Sequence, residues 1–192
     1  MSCNLYPILR PLVTFLFKIV YRPRIINKDL IPKEGPIVLA GNHRHALDPI
    51  TIAVCTKRTI HFLAKKELYK GLNFIFFNLV GTLPVDRHNK NEKTIGEAEK
   101  MLKLGGAVGI FPEGTRNKTK DKLLHFKKGA VSFAKNTDSL IVPFAITGEY
   151  KVFRKSLTVI IGKPYKVKSD DIESENDKLR KKISVLIGGD QK

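Results

Sequence analysis

Short apolar runs alternate with amphipathic stretches along most of the chain, and this alternation predicts an α/β fold. Runs typical of buried strands lie at residues 36–41, 59–64, 107–111, 140–147 and 157–162. Stretches with apolar residues at helical spacing lie between or after them, at residues 50–56, 91–104, 126–133 and 170–187. Because strands and helices take turns, we expect a mixed, partly parallel sheet flanked by helices.

The first apolar segment, residues 5–21, differs from the others because its polar residues recur every four positions. They form one stripe, made of Arg10, Thr14, Lys18 and Arg22. The segment is shorter than the ~20 apolar residues of a spanning helix, and its pattern predicts a basic helix in the lipid interface. A core helix with a solvated edge is the alternative. We therefore assign residues 1–24 to an interfacial amphipathic helix and residues 25–192 to a single α/β domain.

Three local features refine this outline. Asp48 and Pro49 are residue types suited to the N-cap and first position of the helix that follows them. Residues 74–80 are apolar on nearly every side, which indicates either burial or a surface that contacts acyl chains. Asp170 and Glu173 have the spacing of a capping box and predict the start of the last helix.

The charge of the chain points to an anionic partner. Its 35 Lys and Arg residues against 18 Asp and Glu residues give a formal net charge of +17. No zinc-finger spacing, aromatic RNA-binding signature or helix-turn-helix pattern accompanies this charge, so anionic lipid, phosphorylated substrates or an acidic carrier protein are favoured over nucleic acid. The two cysteines, Cys3 and Cys55, form no disulfide framework and indicate reduced thiols on a cytosol-facing protein.

Candidate chemistry begins where the apolar run at residues 36–41 ends. His43 and Asp48 follow this run, five positions apart, and a strand-to-helix turn lets such a carboxylate reach the imidazole. The pair is typical of a general base and the residue that orients it. Capping of the next helix by Asp48 is the alternative reading of this aspartate.

A second polar block follows the apolar run at residues 107–111. It reads Pro-Glu-Gly-Thr-Arg at residues 112–116, on a turn that contains glycine. Backbone amides and the Arg116 guanidinium converge readily on a phosphate in such a turn. A surface ion pair is the alternative role of this arginine.

These two blocks, together with two others in the same order, resemble the glycerolipid acyltransferase family, and within it the 1-acyl-glycerol-3-phosphate (lysophosphatidic acid) acyltransferases. The other two blocks are Gly-Thr-Leu-Pro-Val-Asp-Arg at residues 81–87 and Ile-Val-Pro-Phe-Ala-Ile-Thr-Gly at residues 141–148. The resemblance covers roughly residues 30–165. It implies direct attack of the acceptor hydroxyl on an acyl-CoA or acyl-ACP thioester, with no acyl-enzyme and no bound cofactor.

The resemblance also implies roles for individual residues. It implies that His43 and Asp48 are catalytic and that the acceptor, lysophosphatidic acid, is bound by Glu113, Gly114, Thr115 and Arg116. Arg87 matches another acceptor-binding arginine of the family, with a surface ion pair as the alternative, and Lys65 is a weaker candidate for the same phosphate. The expected location is the cytoplasmic face of the cell membrane, as a peripheral or monotopic protein on an anionic surface.

His45 departs from the family pattern, since many relatives carry a small hydroxyl residue there. Two histidines one residue apart, His43 and His45, also invite a metal site. However, the residues that follow them, Leu47, Asp48 and Pro49, do not complete a metallo-hydrolase pattern, so we expect no metal. Glycerol-3-phosphate or another lysophospholipid is the alternative acceptor, and a noncatalytic basic protein that binds membranes or nucleic acid is the alternative from another class.

Overall fold

The computed structural model describes residues 6–69, 82–85 and 92–189, and the elements are numbered within these ranges. The helices are α1 (Tyr6–Tyr21), α2 (Asp48–Ala53), α3 (Glu92–Lys103), α4 (Gly129–Asn136) and α5 (Ile172–Gly189). The strands are β1 (Arg24–Ile26), β2 (Ile37–Gly41), β3 (Ile60–Lys65), β4 (Leu83–Val85), β5 (Ala107–Ile110), β6 (Leu140–Gly148), β7 (Leu157–Ile161) and β8 (Tyr165–Lys166). Short 3-10 turns cover Lys28–Leu30 and Lys66–Tyr69.

The strands form a mixed and mostly parallel sheet, as the sequence predicts. Their order is β1-β7-β6-β2-β5-β3-β4, with β8 paired to the start of β6. β2 lies at the centre and runs parallel to both of its neighbours, β5 and β6. β7 and β8 run antiparallel to β6. All five residues of β2 are buried, which agrees with an unbroken apolar run in a strand covered on both faces.

Helices cover both faces of the sheet and create two apolar cores. One core contains Ile37 and Leu39 of β2 together with Phe17 of α1 and Ile52 of α2. The other contains the alternate β2 residues, and its helix residues come from α3, α4 and α5. Burial of apolar area on both faces is the main stabilising contribution to such a fold.

Three local predictions differ from the structure. Asp48 is the first residue of α2 and makes no capping bond to that helix, because its carboxylate turns back toward the preceding loop. The cap of α5 is Asp171, whose Oδ1 accepts the amides of Glu173 and Ser174, whereas Asp170 pairs with a lysine. Ile95, one of the apolar residues at helical spacing that predict the helix at residues 91–104, is exposed. The apolar segment 74–80 lies outside the described residues.

The amphipathic character predicted for α1 is confirmed, but the helix also docks on the sheet. Its Phe17 is buried, and Arg10 Nη1 donates a hydrogen bond of 2.8 Å to the Lys57 carbonyl. Large apolar side chains on the rest of the helix are exposed, namely Leu12, Val13, Phe15, Leu16 and Ile19. This exposure argues against a plain core helix. Among the described residues, no helix is long and apolar enough to cross a membrane.

Gly41 offers a direct test of the packing at the end of β2. A Cβ atom at this position would lie 2.2 Å from the ring of Phe144, which is fully buried on β6. We expect Gly41→Ala to lower the free energy of unfolding by about 1–3 kcal/mol, because the ring has no free space to move into. Gly96→Ala is the matched control, since Gly96 lies within α3 and faces open space. It should raise stability by roughly 0.5–1 kcal/mol in the same urea titration; equal effects of the two changes would contradict the packing argument.

Candidate active site

Three parallel strands deliver polar residues to one edge of the sheet. β2, β5 and β6 are neighbours with the same direction, so the residues that follow Gly41, Ile110 and Gly148 meet at their carboxyl ends. Open α/β sheets place their ligand sites at this edge. The two sequence blocks with candidate chemistry therefore come together in space, as expected from their positions after strands.

The buried side chain of Asn42 extends the β2–β6 pairing beyond the end of β2. Its amide nitrogen donates to the Ile146 carbonyl at 2.8 Å, and its Oδ1 accepts the Ile146 amide at 2.8 Å. The side chain thus replaces a backbone peptide in the ladder and satisfies both polar groups of Ile146. This pair fixes the chain directly before His43.

His43 and Asp48 form the contact predicted from their spacing. His43 Nδ1 lies 2.8 Å from Asp48 Oδ2. Because a carboxylate accepts hydrogen bonds, Nδ1 carries the proton, and Nε2 is left as the basic nitrogen. The His43 ring stacks on Phe111 with centroids 4.1 Å apart, and its side chain keeps 17% of its surface exposed. The imidazole is therefore held on two sides and open to a ligand.

The Asp48 carboxylate is fully buried and receives four donors. Besides His43, Oδ2 accepts the amides of Arg44 and His45 at 2.7 and 2.8 Å. Oδ1 accepts the Tyr150 hydroxyl at 2.6 Å. Burying a carboxylate is costly unless hydrogen-bond donors replace the water that it loses. The turn after β2 therefore points its backbone amides at this one group.

Tyr150 is a site residue that the sequence analysis missed. It follows β6, and its hydroxyl contacts both Asp48 and, at 2.8 Å, Thr51 Oγ1. Burial and the neighbouring Asp48 charge raise the pKa of Tyr150 well above its usual range, so its hydroxyl remains a donor. Its ring stacks on His45 with centroids 4.2 Å apart. A lone tyrosine after a strand is a weak sequence signal, and only the fold reveals its partners.

Glu113 and Asn117 clamp the backbone of His43. Glu113 is buried, with Oε1 accepting the His43 amide and Oε2 the Leu124 amide, both at 2.9 Å. The Asn117 amide donates to the His43 carbonyl at 2.7 Å. Asn117 was not singled out from sequence, although it directly follows the second block. Both carboxylate oxygens of Glu113 are occupied by backbone groups, so its observed contacts position the histidine.

The end of the second block, after the half-buried Gly114, is open to solvent. Gly114 has a φ of +66°, a left-handed conformation that favours glycine, and Lys127 lies over it. Thr115 and Arg116 are exposed on the turn that follows. Arg116 has no ion pair among the described residues, which leaves its guanidinium available.

The remaining predicted residues are placed only in part. Lys65 is the last residue of β3, which runs parallel to β5 and therefore also to β2. Its backbone thus lies toward the same edge of the sheet. Arg87 lies outside the described residues. Within the ranges that the structure describes, no group of three or more His, Cys, Asp and Glu side chains is arranged to hold a metal ion.

Comparison with known proteins identifies the family. The profile of the acyltransferase family matches residues 22–147, which include both polar blocks. The chain belongs to the acyltransferase family. This match confirms the resemblance found in the sequence. It also confirms that the protein is an enzyme.

Two named enzymes are similar to this acyltransferase over more than two thirds of the chain. The 1-acyl-sn-glycerol-3-phosphate acyltransferase of Bacillus subtilis is 36% identical over 148 residues, 73% of this chain and 72% of that protein. The enzyme of the same name from Borreliella burgdorferi is 31% identical over 139 residues, 69% of this chain and 54% of that protein.

A solved structure shares the fold of this acyltransferase. The crystal structure of the 1-acyl-sn-glycerophosphate (LPA) acyltransferase PlsC from Thermotoga maritima superposes with a TM-score of 0.72, over 93% of this chain and 76% of that one. At 21% identity this likeness establishes the architecture alone.

Tyr150 provides a test of the carboxylate's surroundings. Tyr150→Phe leaves Asp48 Oδ1 without its donor, so we expect the free energy of unfolding to fall by about 1–3 kcal/mol. The kcat of acyl transfer should fall about five- to fiftyfold with little change in KM. The reason is that Asp48, which orients His43, loses the hydrogen bond from Tyr150.

The matched control is Tyr165→Phe. Among the described residues, the buried Tyr165 hydroxyl has no hydrogen-bond partner, and it lies far along the chain from the turn that bears His43. Its removal should leave both activity and stability unchanged or slightly raise the latter. A Tyr150→Phe enzyme that matches this control in kcat would show that the hydroxyl does not support the site.

Proposed function

We propose that this acyltransferase transfers a fatty acyl group from a thioester to the free hydroxyl of 1-acyl-glycerol-3-phosphate and forms phosphatidic acid. The observation that carries the proposal is the 2.8 Å contact between His43 and the buried Asp48, beside an open Nε2. The substrate in the names of the Bacillus subtilis and Borreliella burgdorferi relatives supports the choice of acceptor.

In the proposed reaction His43 is the general base. Its Nε2 takes the proton of the acceptor hydroxyl as the oxygen attacks the thioester carbonyl. The tetrahedral intermediate then collapses, the carbon–sulfur bond breaks, and the thiolate takes the proton back from the imidazolium. Asp48 keeps the ring in the required tautomer and stabilises the cation that forms.

The acyl group passes directly to the acceptor, without a protein nucleophile. Cys55 lies two residues after the end of α2. Its thiol is buried and donates a hydrogen bond to the Thr51 carbonyl. Burial raises the pKa of Cys55 to about 12, so it carries no reactive thiolate. We propose that the reaction uses no bound cofactor and that the donor is acyl-CoA or acyl-ACP, both of which are anionic and suit the basic chain.

The acceptor phosphate is proposed to bind at the turn after β5. Arg116 supplies the exposed guanidinium, and Thr115 and Gly114 supply polar side-chain and backbone groups. Arg87 and Lys65 are further candidates for the same phosphate. Glu113 contributes indirectly, since its carboxylate holds His43. This arrangement would tether the glycerol hydroxyl within reach of Nε2.

We also propose that the protein acts as a peripheral or monotopic enzyme on the cytoplasmic face of the membrane. The exposed apolar side chains of α1 would enter the lipid interface while its basic residues contact anionic headgroups. Lysophosphatidic acid resides in such a surface, so membrane contact brings the enzyme to its acceptor.

The catalytic assignment predicts that His43→Ala reduces kcat about 10²–10⁴-fold with the fold intact. Asp48→Asn should also be severe, because it can hold the histidine in the wrong tautomer. His45→Ala is the internal control, since this exposed imidazole makes no contact with the Asp48 side chain, and it should keep most of the activity. Radiolabelled acyl transfer and circular dichroism on purified protein provide the measurements. Near-normal turnover by folded His43→Ala would contradict the general-base role of His43.

The acceptor assignment predicts selective losses for Arg116→Ala and Arg87→Ala. Each should lower kcat/KM for lysophosphatidic acid roughly 10–150-fold, because a charge-assisted contact with the phosphate is removed. An acyl-glycerol acceptor without the phosphate should show little further loss with either variant. Arg180→Ala, an exposed position on α5, is the matched control. Equal losses on both acceptors would assign the arginines to the fold or the donor.

A further inference from the structure

The connection between β6 and β7 carries a second exposed apolar feature. Val152 and Phe153 are 54% and 59% exposed. They lie between cationic residues, with Lys151 on one side and Arg154 and Lys155 on the other. We call residues 151–155 the tip loop. An apolar pair flanked by cations is the composition of a segment that enters an anionic lipid interface.

The backbone holds Phe153 in this exposed position at a conformational cost. Its φ is +57°, which is unusual for a bulky residue. Its amide donates to the Val20 carbonyl at 2.5 Å, so the tip loop is tied to the last turn of α1. Because α1 exposes Ile19 in that turn, the two apolar features adjoin each other. Backbone strain that holds an exposed aromatic ring in place is typical of a functional position, such as a surface that binds another molecule.

The cations of the tip loop are arranged around a shallow cavity. The cavity has a volume of about 430 Å³ and is lined by Lys151, Arg154, Lys155 and Ser156. Lys151 forms an ion pair with Glu149 at 2.6 Å. Arg154 and Lys155 have no ion pair among the described residues, so two positive charges remain to meet an anionic surface.

We propose that the tip loop is a second membrane-contacting element, which inserts Val152 and Phe153 into an anionic bilayer while Arg154 and Lys155 contact lipid phosphates. The inference adds to the membrane location proposed for α1 and rests on it. Tyr150, which contacts Asp48, directly precedes the loop. Insertion at this point would therefore seat the catalytic edge of the sheet on the lipid surface, where a lipid acceptor enters.

The absence of tryptophan from the chain allows a direct test. Phe153→Trp introduces a single tryptophan into the chain as a fluorescent reporter. Leu104→Trp places the same reporter at an exposed position where α3 ends, before the amino end of β5. Vesicles of phosphatidylcholine and phosphatidylglycerol should shift the Phe153→Trp emission to the blue, and lipids brominated on their acyl chains should quench it. The Leu104→Trp emission should change little.

Binding variants complete the test. Val152→Ser/Phe153→Ser should weaken vesicle binding roughly ten- to a hundredfold, and Arg154→Gln/Lys155→Gln should weaken it on anionic vesicles by about fivefold per charge. Leu104→Ser should leave binding unchanged. Unquenched Phe153→Trp emission from vesicle-bound protein would overturn the inference. A blue shift of this emission with an acidic carrier protein, and none with vesicles, would also overturn it. Acyl transfer to detergent-dispersed acceptor is measured in parallel, so a failure of membrane insertion is distinguished from a failure of the proposed activity.

Discussion

The buried carboxylate of Asp48 is the constraint around which the sheet edge that bears His43 is organised. Removing a charged group from water is costly, and the cost is offset here by four hydrogen bonds from the turn after β2 and from Tyr150 after β6. These donors must be present together, so the turn, the start of α2 and the β6–β7 connection are fixed relative to one another. The orientation of His43 follows from this arrangement.

The outline of the fold and the central pair could be predicted because both depend on local sequence. Apolar runs such as Ile37–Gly41 show where buried strands lie, and the residues after parallel strands share one edge. His43 and Asp48 are close in sequence, so their contact follows from a single turn. The family resemblance added the chemistry, which periodicity alone does not specify.

The residues that escaped prediction act through contacts distant in sequence. Tyr150 meets Asp48 across 102 positions, and no local pattern marks such a pair. Glu113 belongs to a recognised block, yet its bonds to the amides of His43 and Leu124 require knowledge of the neighbouring loop. Asp48 and Asp171 show a related limit, since an aspartate near a helix start has several acceptable donors and tertiary structure selects among them.

The bridge made by Glu113 has a consequence for exchanging the loop after β5 between relatives. One carboxylate oxygen serves the turn that bears the histidine, and the other serves the segment leading to α4. A transplanted loop would therefore have to keep this glutamate together with the Leu124 amide that donates to it. Diversity is better introduced at the exposed positions 115 and 116, where side chains can vary without loosening the imidazole.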